Sequence, residues 1–273
     1  MDKLDYLEPT CPLCDGKKFY EPDADDAKGS IPLNRIIEKE DALLESNQTE
    51  KVSELLSYWL KEAEQLNDKK GVLGILSEQI GHYRKIGDSA NGLAAVEYGL
   101  KLIEELSIQN TVSGATILLN CATTLKSFGK ASESIPIYEK VSKVYETELT
   151  PNDKRKAGLY NNMALALVDI GEYKQAEQFY YKAISILGEN ENSENEIAIT
   201  YMNLAHLYDS NEEKEKINDC LTKAIKFLNS TNIERNGYHA YVCSKCAPSF
   251  GYFGYDIVKN MLEKRAKEIY ERN

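Results

Sequence analysis

The sequence predicts an all-α chain: an α-solenoid of about five helical hairpins closed by a C-terminal capping helix. Two observations predict it. Glycine recurs at Gly87, Gly129 and Gly171, at intervals of 42 positions, and one pattern of apolar and small residues repeats around each glycine. A period of about 20–50 residues marks a chain built from stacked supersecondary units. On both sides of each turn, apolar residues recur at i, i+3/4 and i+7, which makes each unit a pair of amphipathic helices.

In chain order, a weak first copy places Asn47 in the turn, followed by Val52, Leu56 and Trp59. The second copy carries Leu76, Tyr83, Gly87, Val96 and Gly99, and the third carries Leu118-x2-Cys121-Ala122-x2-Leu125, Gly129, Tyr138 and Val141. The fourth reads Tyr160-x2-Met163-Ala164-x2-Leu167, then Gly171, Tyr173, Ala176-x3-Tyr180 and Ala183. The fifth reads Tyr201-x2-Leu204-Ala205-x2-Tyr208, then Ile217-x3-Leu221 and Ala224, with no glycine in its turn. Gly or Asn suits the turn because the chain needs a positive φ where the first helix stops. Small residues such as Ala164, Ala183, Ala205 and Ala224 let the paired helices approach closely.

Helix boundaries have their own signals. Thr150-Pro151 with Asp153 suits the start of the fourth repeat, with Pro at the first helical position. Ser193-x-x-Glu196 has the form of a capping box opening the fifth. Pro136 must sit within the first turns of its helix or kink it. After residue 229 the pattern breaks into an aromatic stretch, Tyr238 to Tyr255. A last amphipathic helix, at about 254–271, puts Val258, Met261, Leu262, Ala266 and Ile269 on one face. Terminal repeats need a cap with a polar outer side, and this helix is the candidate.

These motifs resemble the tetratricopeptide repeat, whose signature is W-x2-L-G-x2-Y followed by A-x3-F and a trailing Pro. The resemblance covers roughly residues 32–229. It departs from the family in three ways: Ala or Ile replaces the Gly of the L-G pair, the trailing Pro is missing, and the period is 40 to 42 instead of about 34. Long-period versions occur among bacterial regulators and cargo-binding light chains. The chain thus divides into an N-terminal C-x2-C segment and linker (1–31), helical repeats (32–229), and a second C-x2-C segment with the capping helix (230–273). A resemblance of this kind speaks for architecture, since fold does not fix function.

Composition excludes several classes. A net charge of −11 argues against nucleic acid as a partner. No run approaches the roughly 20 apolar residues that span a bilayer, and the start, Met-Asp-Lys-Leu-Asp, lacks the basic and apolar stretches of a signal peptide. A cytoplasmic location is expected, with no membrane partner.

Six cysteines fall into two groups. Cys121 and Cys220 occupy repeat positions that are ordinarily apolar, so they read as buried small hydrophobes. The others form two pairs, Cys11-Pro-Leu-Cys14 and Cys243-Ser-Lys-Cys246. Two such knuckles supply the four thiolates of a tetrahedral Zn2+ site. Three readings stay open: one structural zinc joining the two ends, a dithiol used in redox chemistry or switching, or unrelated cysteines. Redox C-x2-C motifs usually sit in a βαβ pattern, which is missing here. His239 is a reserve ligand, and Asp15 reads as a turn residue. Five hairpins separate the ends by roughly 50 Å at about 10 Å per helix, and residues 15–31 can extend about 55 Å. The knuckles can therefore meet within a monomer or across an antiparallel homodimer.

In the family resembled, the first helix of each hairpin lines a concave groove. Asn120, Asn162 and Asn203 occupy equivalent positions on those helices, at spacings of 42 and 41. An Asn amide offers a donor and an acceptor and so can pair with both backbone groups of an extended peptide. The competing role is bridging between helices, as buried polar groups require partners. Arg84, Lys85, Lys126, Asn161, Asp169, His206 and Asp209 are the neighbouring candidates, and the three cations would suit an acidic peptide or a terminal carboxylate. The expectation is a non-enzymatic scaffold with a protein or peptide partner in its groove. No nucleophile–base signature appears. The alternative is a metal- or redox-responsive regulator in which the cysteine pairs act as a switch.

Overall fold

The computed structural model describes residues 29–46 and 48–272, apart from the side chain of Glu45. These residues form twelve α-helices, and no strand occurs among them. They are α1 (Leu33–Glu45), α2 (Thr49–Gln65), α3 (Lys69–Ile86), α4 (Ser89–Glu105), α5 (Val112–Ser127) and α6 (Ala131–Glu148). Then follow α7 (Lys154–Asp169), α8 (Tyr173–Gly188), α9 (Glu194–Ser210), α10 (Lys214–Leu228), α11 (Gly237–Tyr252) and α12 (Asp256–Tyr270). Each odd-numbered helix packs on its successor as a hairpin. The chain divides into two compact units, one ending at Leu149 and the other beginning at Thr150. The fold class is the all-α repeat solenoid.

The described residues form six hairpins, one more than expected. The aromatic stretch after residue 229 is itself a helix, α11, and the expected capping helix is its partner, α12. The sixth hairpin obeys the register of the others. Cys243-x2-Cys246-Ala247-x2-Phe250 stands four residues before Gly254, as Tyr160-x2-Met163-Ala164-x2-Leu167 stands before Gly171. Positive φ recurs at Gly87, Gly129, Gly171, Glu212 and Gly254, so the turn series runs on through the fifth and sixth hairpins. In the fifth, Glu212 takes φ 60°, a conformation that is strained for a residue with a Cβ. Asn47, expected in the first turn, lies outside the described residues.

The repeated small residues explain the close helix pairing. Ala164 and Ala183 are fully buried between α7 and α8, and Ala205 and Ala224 between α9 and α10. Tyr180 on α8 and Tyr208 on α9 are themselves at most 1% exposed, as is Tyr138 on α6 in the N-terminal unit. Side-chain caps come from Asp68, Asp88, Thr111, Asp153 and Asn236, each accepting from a backbone N–H in the first turn. Two boundary expectations change. Pro151 precedes α7 instead of opening it, with Asp153 taking the cap through Arg155 N–H at 3.0 Å. The Ser193 hydroxyl forms no cap bond; it turns back to the Glu191 carbonyl at 3.4 Å. Pro136 sits in the second turn of α6.

Candidate functional site

Each asparagine of the expected row stands nine residues before its turn residue. Asn120 belongs to the N-terminal unit, where it donates from Nδ2 to Ser77 Oγ of α3 at 3.4 Å. Asn162 on α7 and Asn203 on α9 belong to the C-terminal unit. They are 2% and 3% exposed, and the Nδ2 of each is buried with no hydrogen-bond partner. An unpaired buried donor costs about 1–3 kcal/mol, and native structures hold few of them. Here the same atom is orphaned at the same register on two successive first helices.

Several neighbouring candidates are occupied with holding the protein together. Asn161 is fully buried and donates to Thr200 Oγ1 of α9 at 3.0 Å and to the Ala157 carbonyl at 3.4 Å. It joins α7 to α9, and its Oδ1 is buried without a partner. Arg84 donates to Thr124 Oγ1 at 3.0 Å and so joins α3 to α5. Lys126 is 6% exposed, whereas Lys85 is exposed. The positive end expected from Arg84, Lys85 and Lys126 is therefore reduced to one open cation. The reason is packing: a long aliphatic stem on a first helix is covered by the neighbouring helices.

His206 pairs through Nε2 with Ser249 Oγ of α11 at 2.9 Å and lies against the rings of Tyr252 and Phe253. Burial lowers its pKa, opposed by Asp209. Asp209 accepts from the Tyr252 hydroxyl at 2.8 Å. Both residues thus bind α9 to α11. Asp169 stays half-exposed.

The C-terminal cysteine pair is not a knuckle. A knuckle needs a tight turn that aims two thiolates at one point, but Cys243 and Cys246 lie in the middle of α11 at the repeat's two core positions. They are 0% and 1% exposed. Cys246 stands where Cys121, Met163 and Leu204 stand, and Cys243 where Leu118, Tyr160 and Tyr201 stand. Burial pushes both thiols above the ordinary range, as it pushes Cys121 and Cys220 up to about 12. Among the described residues no cluster of three or more His, Cys, Asp or Glu could hold a metal ion. Cys11 and Cys14 lie outside the described residues.

Sequence reading missed one polar chain. Asn195 Oδ1 lies 2.8 Å from His239 Nδ1, and His239 Nε2 lies 3.5 Å from Cys243 Sγ. The amide oxygen can only accept, so the imidazole proton sits on Nδ1 and Nε2 receives the thiol. The order Cys–His–Asn has the outline of a nucleophile with its base and orienting group, but the chemistry is wrong for it. Cys243 and His239 are fully buried, the thiol is held neutral, and burial, followed by the charges of Arg265 and Arg235, lowers His239 to about 4. The chain is a buried brace between α9 and α11. Its sequence signal was the spacing of His239 and Cys243, four residues apart on one helix face.

Residues 155–230 match the model of the tetratricopeptide repeat family, a stretch that runs from the start of α7 past the end of α10. No curated protein matches the chain. Among solved structures, the chain is similar to BtubC (BKLC) from P. vanneervenii, with 20% identity and a TM-score of 0.64 over 72% of this chain and 79% of that one. It is also similar to a Podosopora anserina putative kinesin light chain with nearly identical TPR-like repeats, with 13% identity and a TM-score of 0.53 over 72% of this chain and 94% of that one. At such identities the likeness shows the fold alone.

Proposed function

We propose that this protein is a non-enzymatic scaffold that holds an extended peptide segment of a protein partner along the first helices of its repeats. The observation that carries this reading is the pair of orphaned amides, Asn162 Nδ2 and Asn203 Nδ2. Two identical donors, one repeat apart and both unpaired, have the chemistry to pair with the carbonyls of an extended chain; both are closed to solvent here, so capture requires the side chains over them to move aside. Asn120 extends the series in sequence, though its amide already reaches Ser77. The family match over 155–230 covers the helices that carry both orphans, and such repeats commonly serve protein association. The net charge of −11 speaks against nucleic acid. A cytoplasmic setting belongs to the same proposal; no helix among the described residues is long and apolar enough to cross a membrane.

The test is panning of a random dodecapeptide library on the intact protein, followed by affinity measurement on the enriched peptides. Asn162→Ala with Asn203→Ala should weaken them roughly tenfold or more, the worth of one or two backbone hydrogen bonds, while helicity stays unchanged and the melting temperature does not fall. Peptides that bind the double variant as well as the wild type would sink the reading. The four-cysteine zinc site and the dithiol switch have no observation in their favour, because two of their four thiols are core residues of α11. Elemental analysis returning one zinc per chain, lost on Cys246→Ser, would reinstate the zinc.

A further inference from the structure

We infer that Asn236 is a site of spontaneous deamidation, a slow covalent modification that alters the N-terminal cap of α11 and loosens its hold on α9. The dipeptide Asn-Gly occurs twice in the chain, at Asn91-Gly92 and at Asn236-Gly237. In this reaction the glycine nitrogen attacks the side-chain amide carbon of the asparagine before it. Glycine suits the step because no Cβ stands beside the attacking nitrogen. The rate then depends on whether the fold lets that nitrogen and that carbon meet. The two copies differ in this respect.

Asn91 lies within the first turn of α4. The Gly92 N–H donates to the Asp88 carbonyl at 2.9 Å, so its nitrogen is held in the helix. Asn91 Nδ2 is tied to Asp88 Oδ2 at 2.7 Å. Gly92 is buried, and a Cβ there would stand 2.6 Å from the Phe128 ring. This copy is locked.

Asn236 stands outside the helix as the cap of α11, exposed, with φ −98° and ψ −176°. An extended ψ swings the following nitrogen nearer the side-chain carbon than a helical ψ does. Gly237 opens α11, where an N–H has no acceptor within the helix, and no acceptor serves it among the described residues. The space beside Gly237 is open. Asn236 Oδ1 accepts from the His239 N–H at 3.1 Å. That donor stabilises the negative charge that builds on Oδ1 when the carbon is attacked. Nδ2, the leaving group, donates to Glu234 Oε2 at 3.1 Å on the exposed surface.

The Gly237 nitrogen gives its proton to solvent and bonds to Asn236 Cγ. The Cγ–Nδ2 bond breaks, and the amide nitrogen leaves as ammonia after taking a proton from water. A second water opens the cyclic imide at either carbonyl. One opening leaves an aspartate, whose added negative charge suits a helix N-terminus. The other leaves an isoaspartate, which lengthens the main chain by one carbon and draws the capping oxygen away from the His239 N–H. The next two residues carry bonds to α9: Tyr238 to Glu196 at 2.9 Å and His239 to Asn195 at 2.8 Å. Losing the cap loosens both.

Incubation of the full chain near neutral pH and body temperature, followed by peptide mapping with mass spectrometry, tests this. A parallel sample is kept unfolded in guanidinium chloride. In the native protein the amide-to-acid mass change should build up roughly tenfold or more faster at Asn236 than at Asn91. In the unfolded chain the two sites should react at similar rates. Asn236→Ser, which keeps a capping oxygen, should abolish the change at that position. Equal native rates at the two sites overturn the inference, as does an Asn236 that stays intact while the unfolded chain reacts. Hydrogen exchange in α11 should quicken in the isoaspartate-bearing fraction; unchanged exchange there overturns the loosening. Asn162 and Asn203 take no part, so failure here leaves the peptide reading untouched.

Discussion

The fifth and sixth hairpins have the same register and opposite histories of burial. In α9 the core pair is Tyr201 and Leu204, the inner-row residue is a buried Asn203, and the turn is a strained Glu212. In α11 the core pair is Cys243 and Cys246, the inner-row residue is an exposed Lys245, and the turn is a relaxed Gly254. The fifth hairpin lies between two others, so large core residues and a buried amide are both supported. Among the described residues the sixth packs on the fifth through α9 and α11. Its core pair is two small thiols, and it carries the exposed Tyr241 and Ser244 where α9 keeps the buried Ile199 and Met202. Position in the stack, as well as motif, decides what each repeat residue does.

The sharpest way to break that comparison is to truncate the two core positions in parallel. Leu204→Ala should destabilise the protein by about 2–5 kcal/mol, the range for a fully buried leucine. Cys246→Ala at the same register should lose only about 1 kcal/mol. Urea unfolding measures both, and equal losses would mean that the hairpins are packed alike. Native Cys243 and Cys246 should also resist a thiol reagent until the protein is unfolded.

The brace between the two hairpins supplies the next largest effect. His239 titrates at about 4 in the folded protein against 6.5 ordinarily, so the folded state disfavours its protonation. The sign follows: stability is full above pH 6.5 and falls as the pH drops from there toward 4. The loss amounts to about 2–3 kcal/mol. His239→Gln should flatten this segment of the stability curve, as read from urea midpoints at successive pH values. An unchanged slope would place the acid sensitivity elsewhere.

A gain is expected from the inner row. Asn203→Leu replaces an orphaned amide with an apolar group of similar size, and should stabilise the protein by about 1 kcal/mol or more while weakening peptide capture. Loss of stability would mean that Asn203 is satisfied within the protein, through water for instance. The smallest effect belongs to the turns. Glu212→Gly should add about 0.5–1 kcal/mol by relieving the positive φ, bringing the fifth turn into line with the sixth.

The repeat register was legible because it rests on local rules. Amphipathic spacing, turn glycines and small residues between helices can each be read from neighbours a few positions apart. The sixth hairpin escaped for a specific reason: C-x2-C has a stronger meaning in zinc chemistry than in helix packing. That meaning hid the alignment of Cys243, Cys246, Ala247 and Phe250 on Gly254. The row of asparagines was half legible. The sequence placed Asn162 and Asn203 on one row. It did not separate them from Asn161, which lies next to Asn162 but, one residue of helix rotation away, points into the α7–α9 seam. Arg84 and His206 were drawn inward by Thr124 and Ser249, partners about 40 positions away that no local pattern exposes.

What the chain's order of residues settled was the helix-pair unit, its period and the placing of its small and aromatic core, because these follow from spacing along one or two helices. Tertiary packing alone decided which amides are paired, and that Cys243 and Cys246 are buried in the core of α11. Those outcomes depend on what lies across the interface from each side chain, and burial and hydrogen-bond completion are properties of that pairing.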